Sequence, residues 1–504
     1  MPIRMGGLAS GIDTDAVIKE LMTAQSLKKT NLEGKKEKLN WKQEKWQEMN
    51  SKLYSFYTDK VSSLKLQGSY QTKKAVSSDE TKVKASASGA VPGSYSVKVE
   101  KLASAEYVTG ADLKDKGYSK TTLLSDTNMA VGQTITVKTG KDLDSVTEIS
   151  VDAEMTIGKL VDELRGAGIN ANFDEKSGRF YLAAKDTGEE NMFTIESNAE
   201  AGGGLEALGL GNITREMAEN GVKANDKNEM AIVSASDARV VVNDAIINSS
   251  SNTIQTNGLT LDLISTTGSD GLKITVNNDS DAVYDKIKDF VKSYNELMQE
   301  MYDKYNAPSA KGYSMLTSDQ KEAMTDDQVK LWEDKIKDSL LRRDDTLNGI
   351  MSAFRSAMQE TVEIDGKNFS LSSFGIVTGA YTERGKLHIE GDADDPEYLE
   401  KTNTLKSMIE SDPEAVGKAL SGIISKFYST LSDKMSASKL SSALTFYNDK
   451  QMKSQNTQYE TEIKSWETRL TKMEDKYYKQ FSAMEKAMAD LQSKQSQLAG
   501  MLGG

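Results

Sequence analysis

Apolar residues near both ends of the chain recur at alternating steps of three and four. Near the start these are Ile18 and Leu21, then Leu32, Leu39, Trp46, Met49, Leu53 and Phe56, with Lys and Gln filling the gaps. That spacing predicts a heptad helix. Toward the other end Ile463, Trp466, Leu470, Met473, Tyr477, Met484, Ala487, Leu491, Leu498 and Met501 lie on one such seam, interrupted by Gln480 and Lys494. No glycine or proline occurs between Gly422 and Gly500, so nothing breaks the helix. Ile463 to Leu498 then spans roughly 50 Å at about 1.5 Å per residue. Such a rod has a narrow apolar stripe and no core of its own. The two end helices are therefore expected to pair as an intramolecular coiled coil. The flank carrying Phe481 and Met488 is left for a partner chain.

Inside these ends the pattern stays helical. Val283, Ile287, Phe290, Tyr294, Leu297 and Met301 share one face, with Asp281 available as N-cap. Leu347, Ile350, Phe354 and Met358 make a second stripe. Val416, Leu420, Ile423, Phe427 and Leu431 make a third, opened by Asp412 as N-cap and Pro413 at the first helical position. Between residues 94 and 276 the period changes to two. Tyr95, Val97 and Val99 alternate with Ser96, Lys98 and Glu100, and Leu272, Ile274 and Val276 with Lys273, Thr275 and Asn277. Turn chemistry such as EKSGR, Glu175 to Arg179, separates the strands.

The order of helices, strands and helices implies nesting, because the terminal seams find their nearest complement in each other. The expected fold is a multidomain α+β chain with a terminal coiled-coil and helical-bundle stalk and a strand-rich head inserted in its middle. Residues 1–40 and 450–504 are assigned to the coiled coil, and 41–75 and 281–449 to the bundle. Residues 76–108 and 228–280 form one β-rich head domain, and 109–227 a second. Leu32, Leu39, Trp46, Leu53, Ile463, Trp466, Leu470, Met473, Tyr477, Met484, Leu491 and Leu498 are the candidate oligomer or partner interface.

Composition narrows the chemistry. The 504 residues include no cysteine, one histidine (His388) and five prolines, and carry a net charge of -13. Disulfides, thiolate metal sites, cysteine nucleophiles and histidine-dependent triads are thereby removed from consideration. Missing thiols and few X-Pro bonds suit a chain that crosses a membrane unfolded and refolds outside. No window approaches 18 consecutive apolar residues, and the opening shows no apolar leader, so neither membrane insertion nor a cleaved signal is expected. The basic run Lys28 to Trp46 alternates with Glu33, Glu37 and Glu44 at helical spacing, as on a solvated helix face, and nucleic acid is not an expected partner. The match Gly202, Gly204 and Ala207 to a dinucleotide fingerprint lacks a βαβ context, and GAYTERGKL, Gly379 to Leu387, misses the phosphate-loop spacing. The acidic runs lack the pattern of a calcium loop, and His388 beside Leu387 and Ile389 reads as a strand residue. With 76 acidic residues, a carboxylate pair for glycoside hydrolysis is unspecific. No cofactor or metal is expected, and no enzyme.

Several segments resemble one family, the flagellar filament cap, or hook-associated protein 2, family. GLASGIDTDAVIKELM, with Gly11, Ile12, Asp13, Leu21 and Met22, resembles its opening. VPGSYSVKVEKLASAE, Val91 to Glu106, is similar to its strand signature. Ile157 to Gly188, around Ile169 and Asn170, resembles a motif shared with flagellin and hook proteins. ARVVVNDAIINSSSNTI, LTLDLIS, DKIKDFVKSYNEL, FSLSSFGIVTGAYTERGKLHIEG and SDPEAVGKAL resemble the C-terminal half. The family's proline soon after the opening Leu-Met is missing from TAQSLKKTN.

The resemblance implies a secreted, extracellular protein at the tip of the bacterial flagellum. It implies a small ring-like homo-oligomer, such as a pentamer, that promotes folding and insertion of flagellin. Implied partners are flagellin, hook-filament junction proteins, a cytoplasmic chaperone of type III export and host surface glycoproteins. A hook-filament junction protein or a coiled-coil adhesin is the alternative. The opening stretch Gly6 to Met22 is expected to be an export and docking end, ordered only in company.

Overall fold

The computed structural model describes residues 11, 13–199, 203–223 and 229–502. Gly6 to Ser10 and Ile12 of the opening stretch, and Gly202 of the glycine-rich turn, lie outside these residues. The chain forms two compact units, one comprising Thr72–Asp279 and the other the segments on either side of it.

In the helical unit the first helix, Thr14–Ser55, opens at Asp13, whose carboxylate accepts the Ala16 N–H at 3.0 Å. It runs on through a π-helical turn, Phe56–Val61. The wider turn shifts the register of the stripe, and Leu53, Phe56, Val61 and Leu64 are all buried. The three predicted stripes form helices Ser280–Tyr305, Asp345–Met358 and Pro413–Lys434, and every residue assigned to them is buried. Asp412 caps the last of these through the Ala415 N–H at 3.0 Å, with Pro413 following. Asp281 is not an N-cap. The helix begins one residue earlier, and Asp281 sits in its first turn, where it faces the positive end of the helix dipole and pairs with Lys406 at 2.8 Å.

The centre of this unit is aromatic. Phe56, Phe290, Tyr294, Phe354 and Phe427 come from four helical segments, and the closest pair, Phe354 and Phe427, meets edge to face at 5.1 Å between centroids. The Tyr294 hydroxyl lies among these rings with no hydrogen-bond partner, and burial pushes its phenol up. Two short hairpins complete the unit: Val362–Ile364 with Lys367–Phe369, and Ile376–Thr378 with Leu387–Ile389, the latter carrying His388.

The strand-rich unit closes where it opens, with the Asp279 N–H donating to the Thr72 carbonyl at 2.8 Å. One of its cores lies between two antiparallel sheets. The five-stranded sheet runs Lys73–Ser77, Leu272–Asn278, Gly93–Lys101, Ala238–Val242 and Ala245–Ser249, and the three-stranded sheet runs Thr253–Thr256, Leu259–Leu263 and Val83–Ala87. The period-two pattern sets the register: Tyr95 faces Ile274 and Val97 faces Leu272, all buried. The other core gathers helix Ile157–Gly166, a four-stranded sheet that includes the hairpin Ile169–Asp174 and Arg179–Ala184, and a three-stranded sheet. The EKSGR turn closes that hairpin. Gly178 has φ +63°, and a Cβ there would stand 2.5 Å from the Lys114 nitrogen, so both conformation and space require glycine.

Where the chain passes from one core to the other, Ser104 and Ser236 exchange backbone hydrogen bonds at 2.9 and 3.0 Å. Glu106, two residues on, is fully buried. One carboxylate oxygen accepts the Phe193 N–H at 2.7 Å and the other has no partner. Burial outweighs that hydrogen bond and pushes the carboxyl up to about 7.

Two predictions follow from these interiors. The folded strand-rich unit holds the Glu106 proton more tightly than the unfolded chain does. The contribution of Glu106 to stability is therefore fully present below the ordinary carboxylate range, is lost as pH rises toward 7 and then levels, a change on the order of 3 kcal/mol. Glu106→Gln should flatten that decline and raise the midpoint of chemical unfolding at pH about 8, read by circular dichroism across pH. In the helical unit, Phe427→Ala should cost about 3–5 kcal/mol. Tyr294→Phe, which deletes an unpaired hydroxyl, should be neutral or stabilising by up to about 1 kcal/mol in the same measurement.

Candidate functional site: the paired first and last helices

The last helix, Asp449–Leu502, runs 54 residues. It lies antiparallel against the first helix, and four polar contacts along the seam fix the register. Asn456 Nδ2 donates to Asn40 Oδ1 at 2.5 Å, Lys36 pairs with Glu460 at 3.0 Å, Lys29 with Glu467 at 3.2 Å, and the Tyr478 hydroxyl donates to Asp15 at 2.9 Å. As one residue number rises the other falls by nearly the same step. The first three contacts keep one register and the fourth departs from it by three residues, so the pairing extends over more than 20 residues of each helix. Partial burial disfavours the Lys29 charge, but Glu467 and Glu33 together hold its ammonium above the usual lysine range. Trp466 lies between Lys28 and Arg469, each 5.2 Å from its ring centre.

The predicted interface residues fall into three groups. Trp46 and Leu53 belong to the bundle core, where Trp46 stacks on Tyr447 at 5.6 Å with the rings 8° from parallel. Leu32, Leu39, Ile463, Trp466, Leu470, Met473 and Tyr477 are half-buried along the region where the two helices pair. Met484, Leu491 and Leu498 are exposed, at 37%, 63% and 59%.

The third group follows from length. Tyr478 stands opposite Asp15, close to the beginning of the first helix, yet the last helix continues to Leu502, roughly 35 Å farther at about 1.5 Å per residue. Met484, Leu491 and Leu498 are seven residues apart, and Met488 lies one turn from both Met484 and Leu491, so this extension carries a continuous apolar stripe. Methionine suits such a stripe, because its unbranched thioether adapts to differently shaped partners.

The first helix has a second neighbour that its heptad did not reveal. Trp41, off the 3-4 seam, is buried with Ile336 of helix Asp326–Asp338 and with Leu340 just beyond that helix, and Met315 and Trp332 pack against them. Met315 comes within 3.1 Å of where a Cβ on Gly34 would be, so that glycine lets the segment before the helix lie close. A tryptophan out of step with the seam, and a glycine in mid-helix, were the available signals.

No group of metal-ligating residues occurs among the described residues, and no described helix is long and apolar enough to cross a membrane.

Comparison with known proteins agrees with this architecture. A family model described as Flagellar hook-associated protein 2 C-terminus matches residues 235–493, and one described as Flagellar hook-associated protein 2 N-terminus matches residues 10–106. Flagellar hook-associated protein 2 of Halalkalibacterium halodurans is 24% identical, over 96% of this chain and 97% of its own. That of Thermotoga maritima is 25% identical, over 99% and 96%. The crystal structure of the D1-D2-D3 domains of the flagellar cap protein FliD from Escherichia coli shares the fold, with TM-score 0.51 and 22% identity over 78% of this chain and 96% of that one. A C-terminal match across half the chain, an N-terminal match and a shared fold make this protein a member of the flagellar hook-associated protein 2 family, the family of the flagellar filament cap.

Proposed function

We propose that this protein caps the distal end of a bacterial flagellar filament as a ring-like homo-oligomer, outside the cell, and that it promotes the folding and insertion of flagellin during elongation. The observation that carries the reading is the apolar stripe Met484, Met488, Leu491 and Leu498 on a helix that outruns its partner, in a chain of this family. An exposed stripe of this length is a surface that gains stability only when another chain covers it. Before export that chain is a cytoplasmic chaperone. After it, the neighbours are other copies, flagellin and the hook-filament junction proteins. The absence of cysteine from the 504 residues fits passage through a type III channel in an unfolded state.

The mechanism is geometric and forms no covalent bond. The expected hinges, near Ser69 to Ser77 and Asp279 to Ala282, narrow to the connections at Gln71, Thr72 and Asp279, because Lys73–Ser77 is a paired strand and Ser280–Tyr305 a helix; movement there lets one subunit at a time give way and open a lateral gap for an incoming flagellin. Adhesion to host glycoproteins is a second activity compatible with the same exposed location.

Deletion of the gene should give short or absent filaments by electron microscopy and flagellin monomers in the medium, both reversed by the intact chain supplied in trans. Full-length filaments without leakage reject the cap reading. The double variant Leu491→Asp, Leu498→Asp should fail to restore filaments, and its self-association should weaken at least about tenfold in sedimentation, while circular dichroism of the monomer stays unchanged. Normal elongation by that variant would remove the stripe from the mechanism.

A further inference from the structure

The only histidine of the chain stands in an ion cluster that the cap reading leaves unused. His388, on the strand Leu387–Ile389, has only a tenth of its side chain exposed. Its Nδ1 lies 2.5 Å from Asp395 Oδ2, in the loop that follows. Its Nε2 lies 3.2 Å from Glu383 Oε1, buried and off the axis of a good hydrogen bond. Glu383 belongs to the turn preceding the strand, and its second oxygen accepts the Ala380 N–H at 2.7 Å. The imidazole face stacks on Tyr398 at 4.3 Å, 15° from parallel. Gly379 leaves this room, since a Cβ there would meet both Glu383 and His388 Nε2.

Other charges around the cluster have their own partners. Lys401 lies over the Tyr398 ring at 4.6 Å and pairs with Glu390 at 3.2 Å. Arg384 lies over Tyr302 of helix Ser280–Tyr305 at 3.5 Å. From the same helix Lys288 pairs with Asp392 and Asp394, and Asn295, which is neutral, bonds both backbone groups of Leu387. Arg355 of helix Asp345–Met358 packs against Gly385. The carboxylates facing the ring are thus Glu383 and Asp395, one at each nitrogen.

A neutral imidazole donates from one nitrogen and presents a lone pair from the other. With Nδ1–H directed at Asp395, the neutral ring turns its Nε2 lone pair toward the Glu383 carboxylate, which is repulsive. The doubly protonated ring attracts both carboxylates and favours the Tyr398 face as well. We infer that His388 is a proton-operated latch, which in its charged form ties the Ala380–Glu383 turn to the Asp395–Tyr398 loop and releases the turn when it loses a proton. The turn so held presents Tyr381, a residue 98% exposed, at the tip of the hairpin. The latch therefore sets whether that tyrosine is offered on a rigid or a loose support.

A single histidine gives a single imidazole signal. In the full-length protein labelled with 15N-histidine, both ring nitrogens should show protonated shifts at the low end of a titration from about pH 5 to about pH 9. Amide exchange of the 376–389 peptide, corrected for base catalysis, should be about tenfold slower in that state than after the ring titrates, with the same midpoint. His388→Gln should make the exchange independent of this transition. Glu383→Gln, which keeps the Ala380 contact, should move the midpoint to lower pH. A ring that remains one neutral tautomer throughout, or turn protection that does not follow its titration, overturns the latch. Because the wild-type titration requires no variant, a misfolded substitution leaves the test intact, and neither readout depends on filament growth.

Discussion

A 54-residue helix whose apolar groups lie on one narrow stripe cannot bury that stripe against itself, and the rest of this architecture depends on that constraint. The chain meets it first by returning to its own beginning. Antiparallel pairing with the first helix covers the stripe as far as Tyr478, and the Asn40–Asn456 contact lies within that pairing. Asparagine in a seam costs stability and repays it in register, since a slipped pairing would leave two amides facing apolar neighbours. Once register is fixed, the point at which the first helix gives out is fixed as well. The stretch beyond that pairing, which exposes Met484, Met488, Leu491 and Leu498, is thus a consequence of pairing geometry rather than of local sequence.

The same helix links two kinds of packing. Between Leu21 and Leu39 it is at most half-buried, with salt bridges along the seam worth little individually in water. From Trp46 onward it enters a core of aromatic rings where each large side chain contributes several kcal/mol. Stability is therefore unevenly distributed along one continuous element. The paired ends lie at the end of the scale that opens readily, and the bundle at the end that does not.

Much of this was legible in the primary structure because periodicity is a direct image of burial. The stripes at Val283 to Met301, Leu347 to Met358 and Val416 to Leu431 gave their helices, and the alternation at Tyr95 to Val99 and Leu272 to Val276 gave paired strands. What escaped depended on distant partners. The π-helical turn at Phe56–Val61 shows in the sequence only as a step of five between Phe56 and Val61, which reads as a skipped position. Trp41 is buried by a helix nearly 300 residues away, and no local pattern announces that. Nothing in the local sequence around Glu106, just before the strand Tyr107–Thr109, marks it for burial. At the candidate site, the seam itself could be read, but its division into covered and uncovered stretches required knowing where the partner helix begins.

The hydrogen bond between Asp279 and Thr72 has a further consequence. It brings together the two ends of a segment of about 200 residues, and the cost of closing a loop rises only slowly with its length. To the helical unit, the whole strand-rich unit is equivalent to a tight turn. Such a cassette can grow, shrink or be exchanged for another without disturbing the chain that carries it, so the two parts of this protein are free to evolve at different rates.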